Sequence, residues 1–231
     1  MKGLFLVLEG GDGAGKSSQL TLLTEFFKKN GGKVKSLHFP RLSAKPYGEM
    51  IGAFLRGEYG DVGSVHPRLA ALLYALDRQQ AAPSLKTFID GGGILLVDRY
   101  LFSNIAYQCA KVQDPAERSR LSDWIERLEY GTYGIPRPDL TLYLDVPMAF
   151  ALANLKQERS GDDREYLKGG GDIHENSDSL QQRVRDEFLR LAKERTGELG
   201  VIDCRNADGD MADRQTIHSR IIDALRYYRV I

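Results

Sequence analysis

Eight residues near the start of the chain, Gly10-Gly11-Asp12-Gly13-Ala14-Gly15-Lys16-Ser17, satisfy G-x-x-x-x-G-K-[ST] at every fixed position. The pattern constrains the fold because it works only between a strand and a helix. Both flanks comply. Leu4, Phe5, Leu6, Val7 and Leu8 form an apolar run of strand length, and Leu20, Leu23 and Phe27 recur at helical spacing after Ser17. Glycines let such a loop wrap so that successive backbone N–H groups converge on phosphate oxygens, and the helix adds its positive end. Lys16 can reach the outer phosphates, and Ser17 can place a hydroxyl on Mg²⁺. The plain alternative is a glycine-rich β–α turn that binds nothing. Four glycines together with the Lys-Ser pair weigh against it.

The rest of the chain alternates strand and helix, which predicts an α/β fold with a parallel sheet and helices on both faces. Strands are expected at Val34–Phe39, at Ile94–Val97 bounded by Asp98, at Leu140–Leu144 and at Val201–Cys204. Helices are expected around Gly48–Leu55, from Pro67 through Leu69, Leu72, Leu73 and Leu76, from about Ser103, and through Leu121, Trp124, Ile125 and Leu128. Pro147 opens another, and the faces Leu180–Val184–Phe188–Leu191 and Ile217–Ile221–Leu225–Tyr228 define the last two. Leu72, Leu73 and Leu76 read as core, and Pro83 as a kink or break. Between Arg159 and Asn176 the periodicity vanishes into a polar stretch with three consecutive glycines. We read residues 1–231 as one domain with a mobile lid at about 159–176.

Composition excludes several classes. The chain has 231 residues, and its 32 basic and 32 acidic side chains cancel, so no electrostatic footprint for nucleic acid or an anionic membrane is present. Two cysteines make neither a disulfide framework nor a metal spacing, and they point weakly to a reducing, cytoplasmic setting. No stretch is long and apolar enough to span a bilayer.

Asp98-Arg99 ends the most apolar strand. Ligands of open α/β sheets bind outside the carboxyl ends of strands, where the glycine loop also lies. An acid there can hold Mg²⁺ through water, and an arginine can bridge phosphates. With these residues in place the chain resembles the thymidylate kinases. The likeness is carried by Glu9–Ser18, Phe39-Pro40-Arg41, Leu72 to Arg78, Asp98-Arg99-Tyr100 with Ser103, Asn104 and Tyr107, Gly134–Asp139, and the stretch before Leu180-Gln181-Gln182.

The resemblance implies a P-loop three-layer fold with a five-stranded parallel β-sheet flanked by helices. It implies transfer of the γ-phosphoryl group of ATP to dTMP with Mg²⁺, usually in a homodimer. ATP then rests on Gly10, Gly11, Asp12, Gly13, Ala14, Gly15, Lys16, Ser17 and Ser18. The acceptor pocket comprises Asp12, Phe39, Arg41, Tyr74, Arg78, Arg99, Ser103, Asn104 and Tyr107. By this likeness Arg78 donates to thymine O4, Asn104 meets N3–H, Tyr74 stacks on the base and Phe39 lines the sugar. Tyr107 stands where a ribose 2′-hydroxyl would go. Asp12, Lys16 and Arg99 are expected in catalysis, together with a lid arginine, Arg159 or Arg164, because Gly13 occupies the loop position where some relatives carry one. Ser17, Asp98 and Glu175 are the expected Mg²⁺ set. The lid departs from close relatives: His174 stands where they carry tyrosine.

Other readings remain open. A kinase for a different acceptor would keep the loop and Asp98-Arg99 but would not readily explain Phe39, Tyr74, Arg78, Asn104 and Tyr107 together. A GTP-dependent switch commonly needs Asn-Lys-x-Asp after a strand, and none is present. A non-catalytic nucleotide binder has no need of intact Lys16, Ser17, Asp98 and Arg99.

Overall fold

The computed structural model describes residues 3–61, 63–156, 172, 174 and 178–231. Among them the order is β1 (Leu4–Glu9), α1 (Lys16–Lys29), β2 (Val34–His38), α2 (Tyr47–Leu55), α3 (Pro67–Asp90), β3 (Ile94–Asp98), α4 (Leu101–Cys109) and α5 (Pro115–Glu126). A π-helical turn (Arg127–Thr132) follows, then β4 (Leu140–Asp145), α6 (Met148–Lys156), α7 (Asp178–Glu194), β5 (Leu199–Asp203) and α8 (Arg214–Tyr227). The five strands form one parallel sheet in the order β2-β3-β1-β4-β5. The expected five-stranded parallel architecture is therefore present.

Period-2 alternation explains how β1 builds two cores at once. Phe5 and Val7 point to one face, where they join Leu95, Val97, Tyr143 and Phe188. Leu6 and Leu8 point to the other, against Leu23, Leu96, Leu142 and Ile221. In register, Leu6 of β1 stands between Leu96 of β3 and Leu140 of β4. The chain leaves β1 toward β2 and β3 on one side and later fills β4 and β5 on the other. The carboxyl end of β1 is thus the switch point of the sheet, where a crevice opens.

Two expectations are corrected. Pro83 neither breaks nor ends its helix, because α3 runs unbroken from Pro67 to Asp90. An interior proline removes one N–H and costs about 3 kcal/mol. Here the flanking Ala81, Ala82 and Leu85 are all buried, and that packing holds the helix through the defect. Second, Leu72, Leu73 and Leu76 are only half-buried. The face that α3 turns inward carries Ala70, Ala71, Ala75, Ala81, Ala82 and Leu85 with Asp77 and Arg78. Small side chains let the helix sit close to its neighbours, and the leucines fall on a different face. The remaining differences are of one to three residues at element ends: β5 begins at Leu199, α4 begins at Leu101, and Leu128 lies in the π-helical turn.

Candidate active site

Gly13 and Gly15 adopt φ values of 77° and 78°, a left-handed backbone that glycine enters at no steric cost. Gly15 caps α1 without any side-chain bond, so the first-turn N–H groups of the helix are left to an anion. Lys16 Nζ donates to the carbonyls of Gly10 at 3.2 Å and Gly11 at 2.9 Å and lies 3.8 Å from Asp98 Oδ1. Burial and the nearby Arg99 charge lower the lysine pKa, against the pull of Asp98 and Asp12. Asn154 of α6 donates to the Gly13 carbonyl at 2.9 Å and ties the loop to the helix that follows β4.

Just beyond β3 stands the second element of the site. Arg99 has φ 63°, a conformation costly for a side chain with a Cβ. Its surroundings explain how it is held. Arg99 N donates to the Leu8 carbonyl at 3.0 Å, and the Glu9 carboxylate, fully buried at the end of β1, accepts from Tyr100 N at 2.9 Å and Ser103 N at 3.0 Å. The Ser103 hydroxyl donates to the other Glu9 oxygen. Glu9 therefore fixes both the bend after β3 and the first turn of α4. Desolvation raises its pKa in spite of these donors and of Arg99.

The Arg99 guanidinium reaches back across the crevice. Its Nη2 donates to Asp12 Oδ1 at 2.5 Å, its Nη1 to Ser103 Oγ at 3.2 Å, and its Cζ lies 5.3 Å from the centre of the Tyr107 ring. Tyr107 donates its hydroxyl to Asp12 Oδ2 at 2.6 Å, and Gln181 Nε2 donates to the same oxygen at 3.2 Å. Burial would raise the Asp12 pKa, but Arg99 and Lys16 outweigh it and hold the carboxyl well below its usual range. An acid inside the glycine loop thus has a structural reason: it orients Arg99 and Tyr107 from the loop side.

Asp98 is 5 % exposed. Its Oδ2 lies 3.3 Å from His38 Nδ1, and its Oδ1 is buried with no hydrogen-bond partner among the described residues. Lys16, His38 and Arg99 keep this carboxyl ionised against desolvation.

Both halves open into one cleft of ≈1390 Å³. Its walls include Asp12 to Ser18, Phe39, Arg41, Tyr74, Arg78, Asp98, Arg99, Ser103, Asn104 and Tyr107, so the predicted donor-loop and acceptor-pocket residues converge on a single space. Only Gly10 and Gly11 among the loop residues lie behind it. Arg41 donates through Nε to Asp77 Oδ1 at 2.9 Å and through Nη2 to Gln80 Oε1 at 2.8 Å, which pins it against α3. Tyr74 is half-buried with its ring edge-on to Phe54. The predicted lid residues Arg159, Arg164 and Glu175 lie outside the described residues.

At the inner end of the cleft, Arg78 meets Glu129 through two contacts, Nε to Oε2 at 2.5 Å and Nη2 to Oε1 at 2.7 Å. Burial opposes the guanidinium charge, but Glu129 raises its pKa above the ordinary value. Asn104 Nδ2 donates to the Ala71 carbonyl at 3.0 Å and to Glu129 Oε1 at 2.8 Å. Its Oδ1 is buried and has no partner among the described residues. His174 is buried against Tyr107 and Phe54, with ring centres 5.2 and 5.5 Å apart, and its Nε2 lies 3.2 Å from Lys111 Nζ.

Glu129, Asn154 and Gln181 were absent from the sequence-based site. Each sits in an unremarkable polar context, and each acts on a residue far away in the chain. The capping-like role of Glu9 could have been suspected, since an acid that ends an apolar strand needs buried partners.

One cleft thus joins an anion-binding glycine loop to a wall of polar and aromatic side chains. The family model described as "Thymidylate kinase" matches residues 8–214. A thymidylate kinase of Mycobacterium tuberculosis is 32% identical over 195 residues, which is 84% of this chain and 88% of that one. A thymidylate kinase of Clavibacter sepedonicus is 36% identical over 206 residues, 88% of each chain. Among solved structures, thymidylate kinase from Candida albicans superposes with a TM-score of 0.68 at 21% identity, over 98% of this chain and 93% of that one, which supports the fold. With the family model spanning most of the chain and such relatives aligned along most of their own length, the chain belongs to the thymidylate kinase family.

Proposed function

We propose that the cleft transfers the γ-phosphoryl group of ATP to dTMP, with the glycine loop as the donor site and the Phe39–Tyr74–Arg78–Asn104–Tyr107 wall as the acceptor site. As a member of its family the chain is an ATP-dependent nucleoside monophosphate kinase. The observation that carries the choice of acceptor is the Oδ1 of Asn104, buried beside Arg78 with no partner among the described residues. A lone acceptor next to a cationic donor is the complement of thymine, whose N3–H donates and whose O4 accepts.

Catalysis in this reading is alignment and charge neutralisation, since the transferring phosphoryl group needs little covalent help. Lys16 binds the outer phosphates of the donor. Arg99, aimed by Asp12 and Ser103, bridges donor and acceptor. Arg159, with Arg164 second, is proposed to bring a further guanidinium to the transferring group. The residues also suit Mg²⁺: Asp98 Oδ1 is an ionised acceptor with no hydrogen bond among the described residues, and Ser17 is exposed at the mouth of the loop. When bound, the ion would neutralise phosphate charge. Both cysteines are buried and unpaired, which suits the reducing setting of the cytoplasm.

A coupled assay of ADP release with Mg-ATP and a panel of monophosphates tests the assignment. dTMP should be the fastest acceptor, with dUMP behind it by a modest factor, because one methyl group is worth ~1–3 kcal/mol. Faster turnover of AMP or GMP would overturn it.

We also assign a homodimer, and the α3 surface supports it. Leu69 is 61 % exposed, and Leu72 and Leu76 are half-open on the same face. A stripe of leucines at i, i+3 and i+7 left open to water suits a second copy of the chain. Light scattering should give twice the mass of the chain, and Leu69→Glu should shift it toward the monomer. A monomeric parent protein would remove the dimer.

A further inference from the structure

We propose that Glu129 is the residue that sets the base specificity of the pocket, by fixing which atom of the Asn104 amide faces the substrate. The inference rests on the acceptor reading given above and deepens it. Glu129 is fully buried, lies behind the cleft rather than on its wall, and sits in the one π-helical turn of the described residues. π-Helical turns carry an extra residue per turn and often mark functional sites.

Oε1 of Glu129 accepts from two base-reading residues at once, Arg78 Nη2 at 2.7 Å and Asn104 Nδ2 at 2.8 Å. Asn104 Nδ2 has a second acceptor in the Ala71 carbonyl at 3.0 Å. Both amide hydrogens of Asn104 are therefore consumed by acceptors from α3 and from the π-helical turn. The reverse orientation would press Oδ1 against a carboxylate and a carbonyl, three acceptors with no hydrogen between them. Asn104 must present Oδ1, and the pocket must be filled by an N–H donor. Arg78 is fixed by the same carboxylate through its Nε and Nη2, so it keeps its remaining amine, Nη1, for a carbonyl oxygen.

Thymine and uracil meet this pair with N3–H and O4. Cytosine offers the opposite pattern. Its N3 is an acceptor and would face Oδ1, and its amino group would face the guanidinium. Rejection of an analogue that leaves buried polar groups unpaired reaches roughly 10⁴–10⁵ in kcat/KM. Glu129 is a positioning residue in this scheme, because it touches no substrate and acts through Asn104 and Arg78.

Glu129→Gln tests the idea. The carboxamide keeps one acceptor where the carboxylate has two, so its amino group must face either Arg78 Nε or Arg78 Nη2 and Asn104 Nδ2 together. In the first placement Arg78 loses its two-point hold, and in the second Asn104 keeps only the Ala71 carbonyl and its amide orientation is no longer enforced, so in either case the donor–acceptor pair facing the base is loosened. We expect kcat/KM for dTMP to fall mainly through KM, activity on dCMP to rise, and the dTMP-over-dCMP ratio to narrow by at least about a hundredfold. A merely structural Glu129 would lower both substrates together, and an unchanged ratio would overturn the proposal. Should Glu129→Gln not fold, the parent protein supplies the second measurement, by NMR. The side-chain NH₂ of Asn104, assigned through Asn104→Asp, should exchange slowly with solvent before any nucleotide is added. Fast exchange in the free protein, with protection only on adding dTMP, would overturn the proposal as well. Failure of the parent to use dTMP at all would instead sink the acceptor reading, so the two are separable.

Discussion

Arg99→Lys is expected to lower kcat by about 10²–10³, the range seen when one preorganised donor to transition-state charge is removed. The reason lies in how the guanidinium is deployed. One nitrogen is committed to Asp12 Oδ1 at 2.5 Å and the other to Ser103 Oγ at 3.2 Å, with the planar group lying against Tyr107. These contacts aim the group before substrate arrives, so no reorganisation is left for the reaction step. A lysine keeps the charge but is a single point on a flexible stem, unable to hold Asp12 and Ser103 while facing phosphate. Positive φ at this residue adds a cost that only the surrounding bonds justify, and those bonds run to Leu8 and, through Tyr100 and Ser103, to Glu9. The variant should remain folded, since the substituted ammonium would still neutralise Asp12 beside Lys16. The assay is saturating ADP-release kinetics with a thermal melt in parallel. A kcat within about threefold of the parent, at unchanged melting temperature, would remove Arg99 from the transition state.

The parts of this site that were legible in the sequence are those set by local chemistry. The glycine loop, Lys16 and Ser17 follow from a turn that must wrap an anion. The strands follow from apolar runs, and Asp98-Arg99 follows from its place at a strand end. What was not legible depends on partners brought together by the fold. Glu129 is 51 residues from Arg78, and Gln181 is 169 residues from Asp12. No local pattern separates a buried acid that aims an arginine from one that faces water. The leucines of α3 show the same limit from the apolar side. Their spacing told that one face of the helix is greasy, but not that alanines on another face make the contact with the sheet. His174 was visible only as a departure from the family pattern. Its role needed the three-dimensional neighbourhood.

From that neighbourhood we expect His174 to set an acid limit on dTMP binding. Desolvation first, and then the charge of Lys111, push its pKa down to about 3, with Asp12 pulling the other way and Arg99 adding a lesser downward push. Lys111 itself is lowered by burial to about 8, so at neutral pH it is largely an ammonium, able to donate across the 3.2 Å to a neutral imidazole. The sign follows from proton counting. Between pH 6.5 and 3 the released or unfolded His174 binds a proton that the seated one does not, so acid favours release. The seating of His174 is intact above about 6.5 and weakens as pH falls toward 3. At about 1.4 kcal/mol for each pH unit, the whole interval corresponds to roughly 4–5 kcal/mol, and pH 4.5 to about 2–3 kcal/mol. Global stability need not carry this cost, because His174 can leave its place against Tyr107 and Phe54 while the sheet stays folded. Losing it would uncover Tyr107 and free Gln181, which bridges the His174 carbonyl at 3.1 Å to Asp12. The expected result is that dTMP affinity drops between pH 7 and about 4.5 by up to about a hundredfold more in the parent than in His174→Gln, whose amide does not titrate. Calorimetric titration of both proteins across that range provides the comparison, and the ionisation of the nucleotide phosphate cancels between them. Parallel affinity profiles for the two proteins would show that His174 does not set the acid limit.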